Sequence, residues 1–257
     1  MFSPSASWIW HGPSDAPHQR VLAFRRSFEI ESDPNDAKVR ITADSRYELF
    51  VNGRSVGQGP PRSWIEPWTV DEYDLGACLR RGENSIAVRV THFGISTFQY
   101  LYARPGLIAQ LAYDGQTLAS DASWRVATEA SFAERVPRID CQQAWEEQYD
   151  ANLAPVDAAG RAWWEPGFTE ADCETVWSEA TVVDAPHTTF EPRRVPALTR
   201  RPVPAVVRGE LEAVRPAEHV WTADLKPVID PYDREANVIH AAVMVRLRIR
   251  SDADQTI

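Results

Sequence analysis

The chain has 257 residues, with 37 acidic and 27 basic side chains and a formal net charge of −10. A nucleic-acid binder needs cationic groups that displace phosphate counterions, so this charge argues against a nucleic-acid partner. No apolar run approaches the roughly 18 residues of a membrane helix, and residues 1–8 lack the basic and apolar regions of a signal peptide. We therefore expect a globular cytoplasmic protein without a membrane partner.

The first elements along the chain are β-strands, because apolar and polar residues alternate with period two. The alternating segments are residues 37–44, 46–51 and 84–91. Asn52-Gly53 directly follows the second segment and predicts a two-residue hairpin, since both residues tolerate positive φ. Further turns are predicted at residues 81–84 and 114–116. Short strands at this spacing indicate an antiparallel sandwich or barrel.

An aromatic and charged group follows the hairpin, after residues 57–61, which we expect to form a loop that leaves the sheet. Indole rings stack on the apolar faces of sugars and charged groups bind sugar hydroxyls, so this composition favours a carbohydrate site. Alternatively, the tryptophans cap the sandwich core or pack on a neighbouring domain, because tryptophan is mostly buried. The candidates for carbohydrate binding or a domain contact are Arg62, Trp64, Glu66, Trp68 and Tyr73.

His92 is a further candidate, because its segment follows the strand ending at Val90 and loops at strand ends often carry function. The alternative is a hydrogen-bonded structural histidine among the aromatic residues that follow it.

Motifs for catalysis, metals and cofactors are absent from the sequence. It has no G-x-S-x-G elbow, H-E-x-x-H helix, EF-hand loop or Walker loop. The three cysteines are widely spaced and odd in number, so they predict neither a disulfide framework nor a zinc site. Glu146, Glu147 and Asp150 cluster in sequence, but runs of acids in such an acidic chain are usually a solvated face. We predict no catalytic residue, metal or cofactor from the residues alone.

A change in composition near residue 185 predicts a domain boundary. Five prolines lie in residues 186–204, which therefore cannot form a central strand or a helix and are interpreted as an extended linker. Residues 237–250 alternate again, but a single strand cannot bury its own face. The prediction is a first domain of residues 1–185, followed in residues 186–257 by the linker and the start of a second β-domain.

Several motifs resemble the N-terminal β-sandwich region of bacterial α-L-rhamnosidases, glycoside hydrolase family 78. The resemblance covers about residues 5–205. Its hairpin and turn motifs also occur in sugar-binding domains of β-galactosidase-like enzymes, so the general fold implied is a galactose-binding-like jelly roll. The motifs lie in residues 7–10, 23–28, 43–53, 56–57, 59–60, 73–75, 79–88, 147–151, 164–168, 177–180 and 193–196.

The resemblance implies a non-catalytic, carbohydrate-associated module of a rhamnosidase-like hydrolase. In that family the catalytic acid and base lie in a later (α/α)₆ barrel, and no sustained 3.6-residue periodicity occurs here. We expect an all-β fragment, inactive alone, whose partners are a rhamnoside-type carbohydrate and the missing catalytic domain. The alternatives are a structural module that packs on that domain, a β-galactosidase-like sugar-binding domain, and a self-sufficient small enzyme.

Overall fold

Alternating apolar and polar residues build two β-sheets in the first part of the chain. The computed structural model describes residues 2–12, 18–34, 36–198, 213–217 and 220–223. The chain divides into two units, Met1–Leu198 and Thr199–Ile257.

The described residues of the first unit form thirteen strands and two three-residue 3₁₀ turns. The strands are β1 (Ile9–Trp10), β2 (Arg20–Ile30), β3 (Ala37–Asp44), β4 (Arg46–Val51), β5 (Arg54–Gly59), β6 (Trp68–Asp74), β7 (Gly82–His92), β8 (Gly106–Tyr113), β9 (Gln116–Ala119), β10 (Arg125–Thr128), β11 (Ser178–Glu179), β12 (Thr181–Val182) and β13 (Phe190–Pro192). The turns are Ala151–Leu153 and Glu170–Asp172.

The strands form a sandwich of two sheets. One sheet has the order β12-β1-β8-β3-β6-β13, with β9 paired to β8, and the other has the order β11-β10-β2-β7-β4-β5. The pairs are antiparallel except for β6 and β13, which run parallel. Leu22 and Leu49 of the six-stranded sheet share one buried cluster with Ile41 and Leu107 of the seven-stranded sheet. The core therefore lies between the two sheets, and the all-β prediction is confirmed, whereas the jelly-roll and galactose-binding-like descriptions stay predictions.

The predicted strands at residues 37–44 and 46–51 coincide with β3 and β4, and the segment 84–91 lies within β7. The hairpin prediction is confirmed as well, because Asn52 and Gly53 have φ of 49° and 78° between β4 and β5. Positive φ at both central residues gives the turn a twist that matches the flanking strands.

The expected loop at residues 57–61 is wrong in its first half, because Gly57 and Gly59 belong to β5 and pair with β4. The chain leaves the sheet at Pro60. A Cβ on Gly57 would lie 2.3 Å from the Tyr73 ring, and a Cβ on Gly59 would lie 2.0 Å from the Asp71 carboxylate. The two glycines therefore let these side chains approach the strand closely.

The outer face of the six-stranded sheet is also buried. Residues 129–177, which we call the outer cover, lie against it with little regular structure. Trp163, Phe168 and Trp177 of the outer cover form an apolar cluster with Phe50 on β4. Phe50 faces this cluster while its neighbour Leu49 faces the sandwich core, as the alternation in β4 requires.

Residues 186–193, which we call the strap, return to the edge of the seven-stranded sheet. Phe190 and Pro192 in β13 pair with Trp68 and Val70 in β6. Proline at an edge strand costs no hydrogen bond of the ladder. The first unit accordingly extends to Leu198, beyond the boundary predicted after residue 185, because part of the proline-rich stretch joins the sheet.

In the second unit the described residues form one antiparallel pair, β14 (Ala213–Ala217) and β15 (Val220–Ala223). The strand predicted at residues 237–250 lies outside the described residues. Within the described part of the chain, no helix has the length and apolar character needed to cross a membrane.

Candidate functional site

One end of the sandwich is organised around Asp44, the last residue of β3, which is fully buried. One carboxylate oxygen, Oδ1, lies 3.0 Å from Nδ1 of His92 and accepts a hydrogen bond from the Tyr100 hydroxyl. The other, Oδ2, lies 3.1 Å from Nε2 of His187. A buried carboxylate is costly unless it is hydrogen-bonded, and here three distant parts of the chain supply the donors.

His187 of the strap links this carboxylate to residues 60–67, the loop between β5 and β6 that we call the aromatic loop. Its ring stacks on Trp68, with the centroids 3.8 Å apart and the planes 3° apart. Its Nδ1 lies 3.0 Å from the carbonyl oxygen of Ile65, which only accepts, so we assign a proton to Nδ1. Its Nε2 faces the Asp44 carboxylate, so the two ring nitrogens contact Ile65 and Asp44 on opposite sides of the ring.

A second buried carboxylate, Asp71 on β6, holds the end of the strap. The Arg193 guanidinium donates to both of its oxygens, and the Tyr47 hydroxyl donates to Oδ2. Burial and the neighbouring Asp71 raise the pKa of Tyr47. The hydrogen bond that Arg193 donates to Asp71 raises the pKa of Arg193, so both Tyr47 and Arg193 keep their protons at any physiological pH.

Between these two carboxylate networks and the outer cover lies a cleft of about 960 Å³. Its walls come from the ends of β4 and β5, the loop that follows β7, the outer cover and the strap. The cleft is large enough for an oligosaccharide, since small-molecule sites occupy about 300–1,000 Å³.

Aromatic side chains line part of the cleft. The Trp145 ring is half-buried, and its Nε1 donates to the Phe93 carbonyl oxygen at 2.6 Å. Phe93 in turn packs edge-on against Tyr100, with the ring centroids 5.4 Å apart. Trp145 is therefore a fixed indole with part of its surface open to the cleft.

Charged side chains line the rest of it. Arg89 donates to both oxygens of Glu129, at 2.6 and 2.8 Å, and to Glu48 at 3.0 Å. Burial lowers the pKa of Arg89, but the hydrogen bonds and charge of Glu129 outweigh burial and leave it raised. Arg62 and Glu147 also face the cleft and are exposed.

A second hollow, of about 730 Å³, lies beside β10 and part of the outer cover. Its titratable side chains include His11, Asp157 and Glu174, and among its described lining residues there is no Phe, Tyr or Trp. It lacks an aromatic platform, so the cleft is the better candidate. In the described part of the chain, no three His, Cys, Asp or Glu side chains are placed to hold a metal ion.

Comparison with known proteins identifies the family of the sandwich. The profile of the family described as "Alpha-L-rhamnosidase N-terminal domain" matches residues 32–202. The chain belongs to this family. The resemblance predicted from the sequence motifs is thereby confirmed.

Solved structures of the same family have this fold. The GH78-family rhamnosidase of Bacillus sp. GL1 superposes with a TM-score of 0.67 at 42% sequence identity, over 75% of this chain and 20% of that one. The α-L-rhamnosidase of Dictyoglomus thermophilum superposes with a TM-score of 0.57 at 22% identity, over 75% of this chain and 22% of that one. These two enzymes are far longer than the region that they share with this chain.

A curated α-L-rhamnosidase from Formosa agariphila is 29% identical over 161 residues, which are 55% of this chain and 16% of the relative. One from Streptomyces avermitilis is 25% identical over 127 residues, which are 47% of this chain and 12% of the relative. The aligned region of this chain thus spans less than a fifth of either relative.

The six predicted site residues of this rhamnosidase-family domain occupy different environments. Arg62 and Trp68 line the cleft, although Trp68 is almost fully buried. Trp64 lies outside the cleft lining, 77% exposed. His92 is buried against Asp44, and the other two residues, Glu66 and Tyr73, contact the strap and β5 rather than the cleft. All six assignments to carbohydrate or domain contact stay predictions.

Glu66 fastens the strap. Its carboxylate accepts hydrogen bonds from the backbone N–H groups of Thr188 and Thr189, at 2.8 and 2.9 Å, and from both hydroxyls. Partial desolvation raises the pKa of Glu66, but these hydrogen bonds outweigh it, and the pKa lies below its ordinary value.

Several cleft residues were missed by sequence reasoning. Arg46, Arg89 and Trp145 line the cleft, but they lie on separate segments and form no local motif. Arg89 gave a weak signal in the sequence, because it lies on the same face of its strand as the apolar residue Ala87. The structure shows that Ala87 is fully buried, so this outer face of the sheet is covered.

Proposed function

We propose that the first unit is a non-catalytic module of an α-L-rhamnosidase-type glycoside hydrolase and that it binds carbohydrate in the cleft. The observation that carries the proposal is the fixed, half-buried Trp145 indole among arginine and carboxylate side chains. Sugars present apolar CH faces that stack on such a ring and hydroxyls that bond to charged groups.

A non-catalytic role is supported by the carboxylates of the cleft. A glycosidase needs one carboxyl group as acid and a second as base or nucleophile on either side of the scissile bond. Glu48 is already hydrogen-bonded by Arg89, at 3.0 Å, and by Ser55, at 3.1 Å. Glu147 remains as the second carboxylate of the cleft, exposed to solvent. This arrangement suits binding of hydroxyls better than paired acid–base chemistry.

Isothermal titration with rhamnose-containing oligosaccharides tests the binding. We expect Trp145→Ala to weaken binding by about tenfold, which corresponds to about 1.4 kcal/mol. Trp64→Ala is the matched control, because Trp64 is exposed outside the cleft, and it should leave the affinity unchanged. Thermal melts of both variants establish that they fold.

Absence of binding by the unaltered chain at millimolar sugar would contradict the proposal. Loss of binding in Trp64→Ala with retention in Trp145→Ala would move the site to the aromatic loop.

A second candidate function is a structural one, favoured by apolar side chains exposed on two loops at the Asp44 end. The loops are held together because both Ile65 and Tyr100 contact the network around Asp44. Such a surface suits contact with another domain. The exposed side chains are Trp64, Ile65, Phe98, Leu101 and Tyr102.

In this alternative the partner of the exposed loops is the catalytic domain of the rhamnosidase. Iodide quenching of tryptophan fluorescence tests it. Adding a rhamnosidase polypeptide that lacks its N-terminal domain should protect the exposed Trp64 from iodide. Unchanged quenching, compared with Trp64→Phe as the background, would count against the structural role.

A further inference from the structure

The charge of the cleft differs from the charge of the protein. The chain carries a net charge of −10, yet the described residues that line the cleft include four arginines and two glutamates. The cationic residues are Arg46, Arg62, Arg89 and Arg193, and the acidic residues are Glu48 and Glu147. A cleft that concentrates one sign of charge raises the local concentration of ligands of the opposite sign.

Two of the four arginines already have carboxylate partners. Arg89 is paired with Glu129 and Glu48, and Arg193 is paired with the buried Asp71. These contacts explain the two arginines as supports of the outer cover and the strap, and they leave little charge for a ligand.

Arg46 and Arg62 are different, since neither has a carboxylate within ion-pair distance among the described residues. The Arg46 guanidinium lies over the Phe93 ring, 5.2 Å from its centroid, which orients the side chain without neutralising it. Arg62 is exposed.

The backbone places both arginines at the same end of one strand pair. Arg46 begins β4, and its neighbour Tyr47 pairs with Gly59, the last residue of β5. Arg62 follows three residues after Gly59 and also lines the cleft. Glu147, the cleft carboxylate without a described partner, lies on the outer cover instead.

We propose that the carbohydrate bound in the cleft is acidic, a glycan that contains a uronic acid, and that its carboxylate lies against Arg46 and Arg62. The planar guanidinium matches a carboxylate through two parallel hydrogen bonds, whereas neutral sugar hydroxyls do not need two unpaired cations. A neighbouring sugar ring stacks on Trp145. This proposal rests on the proposed carbohydrate-binding function and narrows its ligand.

Titration with matched pairs of glycans tests the charge. The probes are oligosaccharides of galacturonate, glucuronate and mannuronate, each beside its carboxyl-reduced neutral counterpart. We expect at least one uronate oligosaccharide to bind about tenfold or more tightly than its neutral counterpart. Raising the salt concentration from about 0.1 M to about 1 M should reduce only the binding of the acidic glycan, because charges are then screened beyond about 3 Å.

Variants locate the contact. Arg46→Gln and Arg62→Gln should each weaken binding of the uronate by about tenfold and leave the neutral counterpart unchanged. Arg104→Gln is the control, because Arg104 is exposed outside the cleft lining and already contacts Asp184. An equal loss in the control would overturn the assignment to the cleft arginines.

The outcomes separate this proposal from the proposed function. Equal binding of acidic and neutral glycans, or preference for the neutral ones, overturns the acidic ligand and leaves carbohydrate binding in place. Failure of every uronate to bind overturns the acidic ligand as well, and the titration with rhamnose-containing oligosaccharides then decides carbohydrate binding separately.

Discussion

The strands between residues 20 and 128 and the irregular chain between residues 129 and 193 are held in place by different forces. The strands bury aliphatic side chains such as Leu22, Leu49 and Leu107 between the sheets, and all three are fully buried. The outer cover and the strap contribute only the short edge strand β13 to the sheets, and the isolated bridges of the outer cover pair its own residues.

Carboxylates attach the second region to the first, in addition to the apolar cluster of Trp163, Phe168 and Trp177 with Phe50. In the outer cover, Glu129 pairs with Arg89, and Glu170 bridges Arg25 and Arg125. In the strap, His187 contacts the Asp44 carboxylate and Arg193 pairs with the Asp71 carboxylate, both in the sandwich. Apolar burial has no preferred direction and hardly depends on pH, whereas a carboxylate loses its partners when it is protonated. The two regions should therefore respond differently to the same perturbation.

The largest effect is expected in the sandwich core. Trp124 is 1% exposed and its Nε1 donates to the Ala119 carbonyl oxygen at 3.0 Å. Trp124→Ala should lower the free energy of unfolding by about 3–5 kcal/mol, because it leaves a cavity and removes the hydrogen bond. Urea denaturation measures the loss, and the exposed Trp64→Ala should change the midpoint little. A similar loss in both variants would contradict the placement of the core.

A smaller and more local effect is expected in the outer cover. Burial lowers the pKa of Arg25, and the charge of Glu170 opposes that shift. Glu170→Gln removes the negative charge that faces the buried Arg25 guanidinium, and it should lower the free energy of unfolding by about 1.5–3 kcal/mol. Hydrogen exchange should show faster exchange in residues 163–177 and unchanged protection in β7. Glu174→Gln, an exposed change on the same segment, is the control. Equal loss of protection in β7 would show that the outer cover and the sandwich open together, which contradicts the distinction between the two regions.

The junction between the regions is tested at Gly59. Gly59→Ala places a Cβ against the Asp71 carboxylate and should disturb its contact with Arg193, at a cost of about 1–2 kcal/mol for overpacking. Gly76→Ala is the matched control, since its Cβ would approach only the exposed Asp74 side chain, at 3.3 Å. Differential scanning calorimetry compares the two, and a larger loss for Gly76→Ala would refute the close approach at Gly59.

The smallest expected effect is the dependence of stability on pH through Glu66. The pKa of Glu66 is lowered in the folded protein, so its contribution is present above about pH 4.5 and is lost as the pH falls through the lower folded-state pKa. Glu66→Gln should destabilise the chain at neutral pH by less than about 1 kcal/mol, because the group is exposed. The difference between variant and parent should vanish in acid, as thermal melts across the pH range will measure. A difference that persists below the folded-state pKa would show that charge is not the cause.

Much of the sandwich could be predicted from the sequence, because burying one face of each strand requires apolar residues at every second position. The strands β3 and β4 and the hairpin at Asn52 follow directly from alternation and turn chemistry. The same is not true of the outer cover, where Trp163 and Trp177 pack without a repeating spacing. The cleft was predicted only in part, at Arg62 and Trp68, since its other walls come from segments that are distant in sequence.

The carboxylate of Asp44 also sets an order of events during synthesis. It leaves the ribosome 143 residues before His187, the last of its donors. At about 5–20 residues per second, that donor arrives roughly 7 to 30 s later. Until then Asp44 in the nascent sandwich lacks its contact with His187. A chain shortened after residue 185 would lack this contact permanently. Completion of the domain therefore waits for its last residues rather than for its first strands.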